Sequence, residues 1–286
     1  MRQYIIKRLI LAVPTLLGVS ILVFSMLLVL PCDIVQQVAG ENEVTPELEA
    51  QIKADLGLDK PAVQQYFEWL GGVLTLDFGR SLRLKTPIND DLRNKLPVTL
   101  EMSAIALVIS LLIALPVGVV AAIRQDTWID YVSRSTAIAF LAIPSFWLGT
   151  MIIVFATKWF GWATPQAQDY QQFWENPWAN LKFMLFPYGY FIPVGPAVLL
   201  GISLVGTVMR LTRTQMLEVL RQDYVRTAAA KGLRERSVVL QHAMKNALIP
   251  VITVIGLQIP VLVGGSVIIE SIYNVPGIGQ WFFQSV

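Results

Sequence analysis

One cysteine, Cys32, and one histidine, His242, are all that the 286 residues hold of those two types. An intramolecular disulfide and a cysteine-based metal site are therefore excluded, and the usual metal and nucleophile constellations have few candidates. Charge is scarce too. Asp, Glu, Lys and Arg make up 15% of the chain, against roughly 25% in an ordinary soluble domain. The net charge of +2 gives no nucleic-acid signature, because the basic residues are distributed by loop and not pooled. A phosphate loop of the form G-x-x-x-x-G-K-[ST] is absent, so ATP binding by that motif is not expected.

What the chain has in abundance is apolar sequence, at 55%. Five charge-free stretches, 9–30, 102–123, 135–157, 191–209 and 247–269, reach spanning length. Each is near or above the ~20 residues that a helix needs to cross about 30 Å of hydrocarbon. Backbone hydrogen bonds must be satisfied within lipid, and no alternating barrel pattern is present, so each is read as a helix. Pro14, Pro116, Pro144, Pro193, Pro196 and Pro260 are predicted to kink or start these helices. Two function classes lose support here. A self-contained channel or secondary transporter calls for ionisable groups deep inside the helices. An intramembrane enzyme calls for paired carboxylates or clustered histidines, and the spans offer neither.

Arg2, Lys7 and Arg8 precede the first apolar run. That run exceeds the 7–15 residues of a signal core and no A-x-A site follows, so an uncleaved helix is predicted. Pro31 suits lipoprotein cleavage at Cys32 poorly, and no role is assigned to that thiol. Residues 210–246 hold eight basic and three acidic side chains, whereas 31–97 hold seven basic and eleven acidic. The positive-inside rule therefore places the amino terminus, the turn 124–134 and the loop 210–246 inside, with 31–101 and 158–190 outside. Trp159, Trp162, Trp174, Trp178, Tyr188 and Tyr190 flank the outer interface, where aromatic rings anchor helices. Glu101 and Glu270 fall at outer helix ends and are read as snorkelling to water, and Phe146 and Trp147 as packing residues.

Outside the membrane, 31–101 is too long for a plain connection. Thr45 caps a predicted helix with Pro46 first inside it, a stripe of Leu48, Ile52 and Leu56, and Gly57 at its end. A second helix is predicted from Pro61, using Val63, Tyr66, Phe67, Leu70 and Val73.

The stretch 223–250, DYVRTAAAKGLRERSVVLQHAMKNALIP, lies between two long uncharged segments. A helical run holding Val219, Leu220, Tyr224, Ala228 and Ala229 is predicted to stop at Gly232, a residue suited to the left-handed position past a helix end. A second run starts near Arg234 or Ser237, carries Val238, Leu240, Ala243, Met244 and Ala247, and yields to a new segment at Pro250. Two helices folded at a glycine make a compact knob that a partner can grip. The bland alternative is a basic loop lying against anionic lipid.

YxRTAxAKG followed by HAxxNALIP, read from Tyr224 to Pro250, resembles the EAA loop of bacterial ABC (ATP-binding-cassette) importer permeases. It takes the form found in the dipeptide, oligopeptide and nickel branch. Arg226 stands at the usual acidic position, Thr227 and Ala228 follow, and Gly232 keeps the spacing. His242, Met244 and Lys245 replace the later isoleucine and leucine-proline. GLDKPAVQQYFEWL (57–70), LDFGRSL (76–82), LPVTLEM (96–102) and IPSFWLG (143–149) resemble the same branch, with Leu76 in place of a glycine and Cys32 likewise.

The resemblance implies an all-α, polytopic membrane bundle of the type I ABC importer kind, with a helical extracytoplasmic insertion. Residues 1–30 form its first transmembrane helix, 31–101 the insertion and 102–286 the permease core with its cytoplasmic loop 210–246. SIYNVPGIGQWFFQSV, the sixteen residues after Glu270, resembles an outer hairpin leading into a sixth helix, for which sixteen residues are fewer than a span requires. The implied function is that of a permease subunit in an ATP-driven peptide importer of the bacterial inner membrane, amino terminus inside. Nickel, glutathione or another small solute is the alternative cargo. Implied partners are a second permease, two ATPase subunits that carry ATP and Mg²⁺, an external substrate-binding protein that docks on the insertion, and membrane lipid. The chain itself is expected to bind no cofactor or metal and to catalyse nothing. The ATPase-coupling residues are read as Arg226, Thr227, Ala228, Ala229, Ala230, Lys231, Gly232, Leu233 and Arg234. Thr227, Ala228 and Gly232 are small for close approach, and Lys231, Leu233 and Arg234 make direct contact.

Overall fold

Apolar length and backbone self-sufficiency lead to helix throughout. A computed structural model describes residues 2–29, 45–55, 57–81, 85–163, 165–187 and 194–285. Cys32, Leu56, Tyr188, Tyr190, Pro193 and the start of the stretch 191–209 lie outside the described residues, as does the side chain of Ile52. Among those described there is no strand, only an isolated pairing of Arg80 with Pro87. The chain divides into two compact units, Met1–Asp91 and Leu92–Val286.

The first unit holds α1 (Arg2–Val29), α2 (Pro46–Asp55) and α3 (Ala62–Leu74). Pro14 sits inside α1. The predicted cap of α2 is present: the Leu48 N–H donates to Thr45 Oγ1 at 3.3 Å, with Pro46 as first helical residue. Gly57 ends the helix at φ +65°, where the next amide, Leu58 N–H, returns to the Lys53 carbonyl at 2.8 Å. On α3 the ring of Phe24 meets Tyr66 edge-on at 5.4 Å, and the Tyr66 hydroxyl lies 2.8 Å from Ser20 Oγ. Of the predicted α3 stripe, Tyr66, Leu70 and Val73 are half-buried, whereas Val63 and Phe67 are exposed.

α4 (Ile88–Ile123) starts in the first unit and continues through the second. It begins well before the predicted 102, because Pro97 rides inside the helix and does not end it. The remaining described α-helices are α5 (Trp128–Ala142), α6 (Ser145–Phe160), α7 (Pro177–Leu185), α8 (Pro196–Leu220), α9 (Asp223–Ala230), α10 (Glu235–Tyr273) and α11 (Ile278–Ser285).

Among the described residues four helices, α1, α4, α8 and α10, are long and apolar enough to cross a membrane. The stretch 135–157, predicted as a span that Pro144 kinks or starts, lies on two helices, α5 and α6, bent by 90° and counting as a fifth span if the pair crosses together. Proline explains the break. Ile143 is extended, at φ −88° and ψ 118°, as a residue before proline prefers, and Pro144 then opens α6. At Pro250 the outcome is the reverse. No new segment starts there, and α10 runs through both Pro250 and Pro260, as membrane helices allow where neighbours meet the freed carbonyls.

α8 is the centre of the second unit and packs against α5, α6, α7 and α10. Lipid tails are as apolar as leucine, so close van der Waals fit and interhelical hydrogen bonds must hold such helices together. Gly201 and Gly206 provide the fit. A Cβ on Gly201 would stand 2.9 Å from the Ala106 carbonyl oxygen of α4, and one on Gly206 2.8 Å from the Ala137 oxygen of α5. Ser110 Oγ donates across the first crossing to the Gly201 carbonyl at 2.9 Å. Met102, Ala106, Leu199, Leu204, Val208 and Tyr273 form the adjoining buried core.

Candidate functional site

The knob starts where α8 ends. Gln222 takes an extended backbone (φ −73°, ψ 146°) and opens α9. Val219 and Leu220, predicted to share one helical run with Tyr224, therefore belong to the end of α8. The chain leaves α9 through Lys231 and turns at Gly232, whose φ of +79° is the predicted left-handed value. Arg234 then opens α10.

One face of the knob is anchored. Val225 and Ala228 of α9 are buried with Val119 and Ala122 of α4, Met216 of α8 and Val238, Val239, Ala243 and Ala247 of α10. Val238–Ala243 is wound as a π-turn, closed by the Met244 N–H on the Val239 carbonyl. That winding leads into a buried stripe of Val239, Ala243, Ala247 and Val251 at four-residue spacing. Asn246 Nδ2 donates to the Tyr224 hydroxyl at 2.7 Å, tying α9 to α10. A cleft of about 320 Å³ remains beside it, lined by Ile123, Ala229, Leu233 and Glu235 among others.

The other face is exposed among the described residues. Arg226, Thr227, Ala229, Ala230, Lys231, Gly232, Leu233 and Arg234 are exposed. A Cβ on Gly232 would meet nothing within 4 Å. Ala228 differs from the reading that its small size serves a partner: it is 7% exposed and packs inward. Arg226 lies 3.9 Å from Asp223, and both are exposed.

Two polar clusters escaped the sequence reading. Arg213 on α8 donates through Nε and Nη2 to the two carboxylate oxygens of Asp130 on α5, at 2.5 and 2.6 Å. The Asp130 side chain is fully buried and that of Arg213 is 17% exposed. The backbone N–H of Asp126 also donates to Asp130, at 3.1 Å. Both partners lie just outside the charge-free stretches 135–157 and 191–209, where apolar patterning carries no sign of them. Arg213 had counted towards the inside surplus of positive charge, yet it is neutralised within the chain.

The second cluster corrects the reading of Glu270. This residue does not snorkel but is fully buried. The chain after α10 reverses at Asn274 (φ +50°) and folds α11 back over the carboxylate. Thr99 Oγ1 donates to Glu270 Oε1 at 2.7 Å and the Gln280 N–H to Oε2 at 3.1 Å, while the Ile278 N–H donates to Thr99 Oγ1 at 2.9 Å. Glu101 is half-buried and accepts from the Tyr170 hydroxyl at 3.0 Å. Burial, and then the charge of Glu101, push the Tyr170 phenol above its usual range. Phe146 and Trp147, read as packing residues, are exposed, as are Trp159, Trp174 and Trp178. Trp162 stacks on Phe160 at 5.0 Å.

Fold and site together define a multi-pass helical membrane component that presents an anchored basic knob between two long apolar helices. The chain belongs to the family of binding-protein-dependent transport system inner membrane components. Residues 114–286 match that family's model and residues 1–103 match its N-terminal companion. The dipeptide transport system permease protein DppB of Escherichia coli strain K12 is 36% identical over 299 residues, covering 100% of this chain and 88% of that protein. The di/tripeptide transport system permease protein DppB of Pseudomonas aeruginosa strain UCBPP-PA14 is 36% identical over 297 residues, with the same coverage. The chain is thus a permease component of an ABC importer, not itself an enzyme, and it works with a substrate-binding protein and ATPase partners.

Proposed function

We propose that this chain forms half of the translocation pathway of a peptide importer and is driven through the knob at 223–234. A second permease completes the pathway, and two ATPase subunits supply ATP and Mg²⁺ chemistry. The observation that carries this reading is the two-sidedness of the knob. Its buried face is continuous with the ends of α4, α8 and α10, so a push on the exposed face is delivered to three long apolar helices as a rigid-body change. The exposed face offers Lys231, Leu233 and Arg234 around a glycine, which suits a groove in a soluble partner. Peptide as cargo draws support from the names of both relatives. Docking of the external binding protein on 31–101 rests on the resemblance of that segment to the peptide-permease branch.

The coupling test is Gly232→Val. Among the described residues the expected cost is backbone strain, about 1 kcal/mol or somewhat more at this φ, since a Cβ there meets no atom within 4 Å. Membrane insertion is expected to survive while ATPase co-purification weakens, or substrate-stimulated hydrolysis in vesicles ceases to drive uptake. Gly232→Asn, which tolerates the left-handed region, separates backbone strain from steric exclusion in the groove. Full coupling in both variants would return the knob to a lipid-facing loop.

Orientation is tested separately. With the amino terminus inside, Lys53→Cys in a Cys32→Ser background is expected to react with an impermeant thiol reagent on intact cells. Lys231→Cys should react only after permeabilisation. Equal reaction of the two would overturn the topology.

A further inference from the structure

Beside the Asp130–Arg213 pair, α5 and α8 leave a half-open cleft of about 210 Å³. It is smaller than the roughly 300–1,000 Å³ of sites that enclose a drug-sized molecule. Ala121 of α4 and Ser133 also line it, and the rest of its lining is of two kinds. Arg134, Arg210 and Arg213 supply cationic groups, and Ala137, Ile138 and Met209 supply an apolar wall. Asp130 matches Arg213. Arg134 and Arg210 have no carboxylate within ion-pair distance among the described residues. The Arg134 guanidinium lies over the ring of Tyr131, 5.9 Å from its centroid. Two positive charges therefore remain at the mouth of a cleft whose inner wall is hydrocarbon.

We propose that this cleft binds the headgroup of an anionic phospholipid, its phosphate on Arg134 and Arg210 and an acyl chain along Ile138. Depth supports the assignment. Arg134 and Arg210 each sit where a charge-free apolar run meets polar chain, at the start of 135–157 and the end of 191–209, which is where hydrocarbon gives way to headgroups. Trp128 and Tyr131, on the same end of α5, are exposed, as aromatic residues at a membrane interface are. Ile138, one turn deeper, is 62% exposed and continues the apolar wall on to the outer face of α5. Chemistry supports it as well. Guanidinium groups present paired donors that fit a phosphodiester, and basic pockets between membrane helices select anionic headgroups. A free phosphate would find the same arginines but would have to lie against Ala137 and Ile138, a wall that an acyl chain fits. A bound lipid would bridge α5 and α8 beside the ion pair that already joins them.

The test uses the complete transporter, purified with its partner subunits and examined by native mass spectrometry after titration with phosphatidylglycerol or phosphatidylcholine. Wild-type complex is expected to retain phosphatidylglycerol in preference to phosphatidylcholine. Arg134→Ala with Arg210→Ala should weaken that retention by about fivefold per arginine, roughly twenty-five-fold together, while Arg134→Lys with Arg210→Lys retains part of it. Arg213 is left in place, and an unchanged thermal midpoint verifies the fold. Should the alanine pair fail to assemble, the wild-type preference and its behaviour towards inorganic phosphate decide the matter. Equal retention of the two lipids, or loss of phosphatidylglycerol to equimolar inorganic phosphate, would overturn the proposal. So would undiminished retention by a folded alanine pair.

Discussion

Arg213→Ala is expected to be among the most damaging single substitutions in the chain, and more damaging than Asp130→Asn. Removing the guanidinium leaves a carboxylate with no exposed side-chain surface, and stranding one member of a buried ion pair costs about 3–5 kcal/mol. The opposite change is milder. Arg213 retains some exposure, and its long stem can carry the charge towards water. Asp130→Asn with Arg213→Ala removes both charges and should recover part of the loss, so the double-mutant cycle isolates the pair. Thermal unfolding of the purified complex measures all three. If Arg213→Ala unfolds no earlier than Asp130→Asn, the pair is not what fastens α5 to α8.

Gly277→Ala and Glu270→Gln are expected to loosen the hairpin between α10 and α11. A Cβ on Gly277 would stand 2.6 Å from Thr99 Oγ1 and 2.5 Å from the carboxyl carbon of Glu270. Both groups are fixed by the hydrogen bonds described above, so neither can yield cheaply, and overpacking of this kind costs about 1–3 kcal/mol. Glutamine at 270 keeps the shape but turns one acceptor into a donor, which then faces either the Thr99 hydroxyl or the Gln280 N–H. An unsatisfied buried group costs about 1–3 kcal/mol. Amide hydrogen exchange at Ile278 and Gln280 should accelerate roughly tenfold or more in either variant. Unchanged protection would mean that Glu270 is incidental to the fold of this hairpin.

Much of the knob was legible in the chain's own chemistry. Gly232 follows an alanine-rich run that forms a good helix, and only a residue without a Cβ turns there at little cost. The Thr45–Pro46 start and Gly57 end of α2 were readable for the same reason, because caps are satisfied by residues a few positions away. The break at Gln222 was not readable. Nothing in LEVLRQDY forbids a continuous helix, and the turn is decided by the apolar seat that α4, α8 and α10 offer to Val225 and Ala228. Prolines divide along the same line. Pro144 breaks its helix and Pro250 does not, although either ring removes one backbone donor, and the surrounding helices decide the difference.

By itself the sequence determined that this chain is helical, that it crosses a membrane several times, and that two helical runs folded at a glycine lie between its last two long apolar runs. Those properties follow from residue-by-residue transfer into lipid and from local backbone preference, which act over spacings of a turn or two. Tertiary structure alone decided the pairing of Asp130 with Arg213, the burial of Glu270 beneath α11 and the inward face of Ala228. Each joins residues distant in sequence, and a charge's surroundings depend on which helix comes to lie against it. A count of charges along the chain records how many there are. Only packing determines whether water, an opposite charge or a lipid headgroup meets each one.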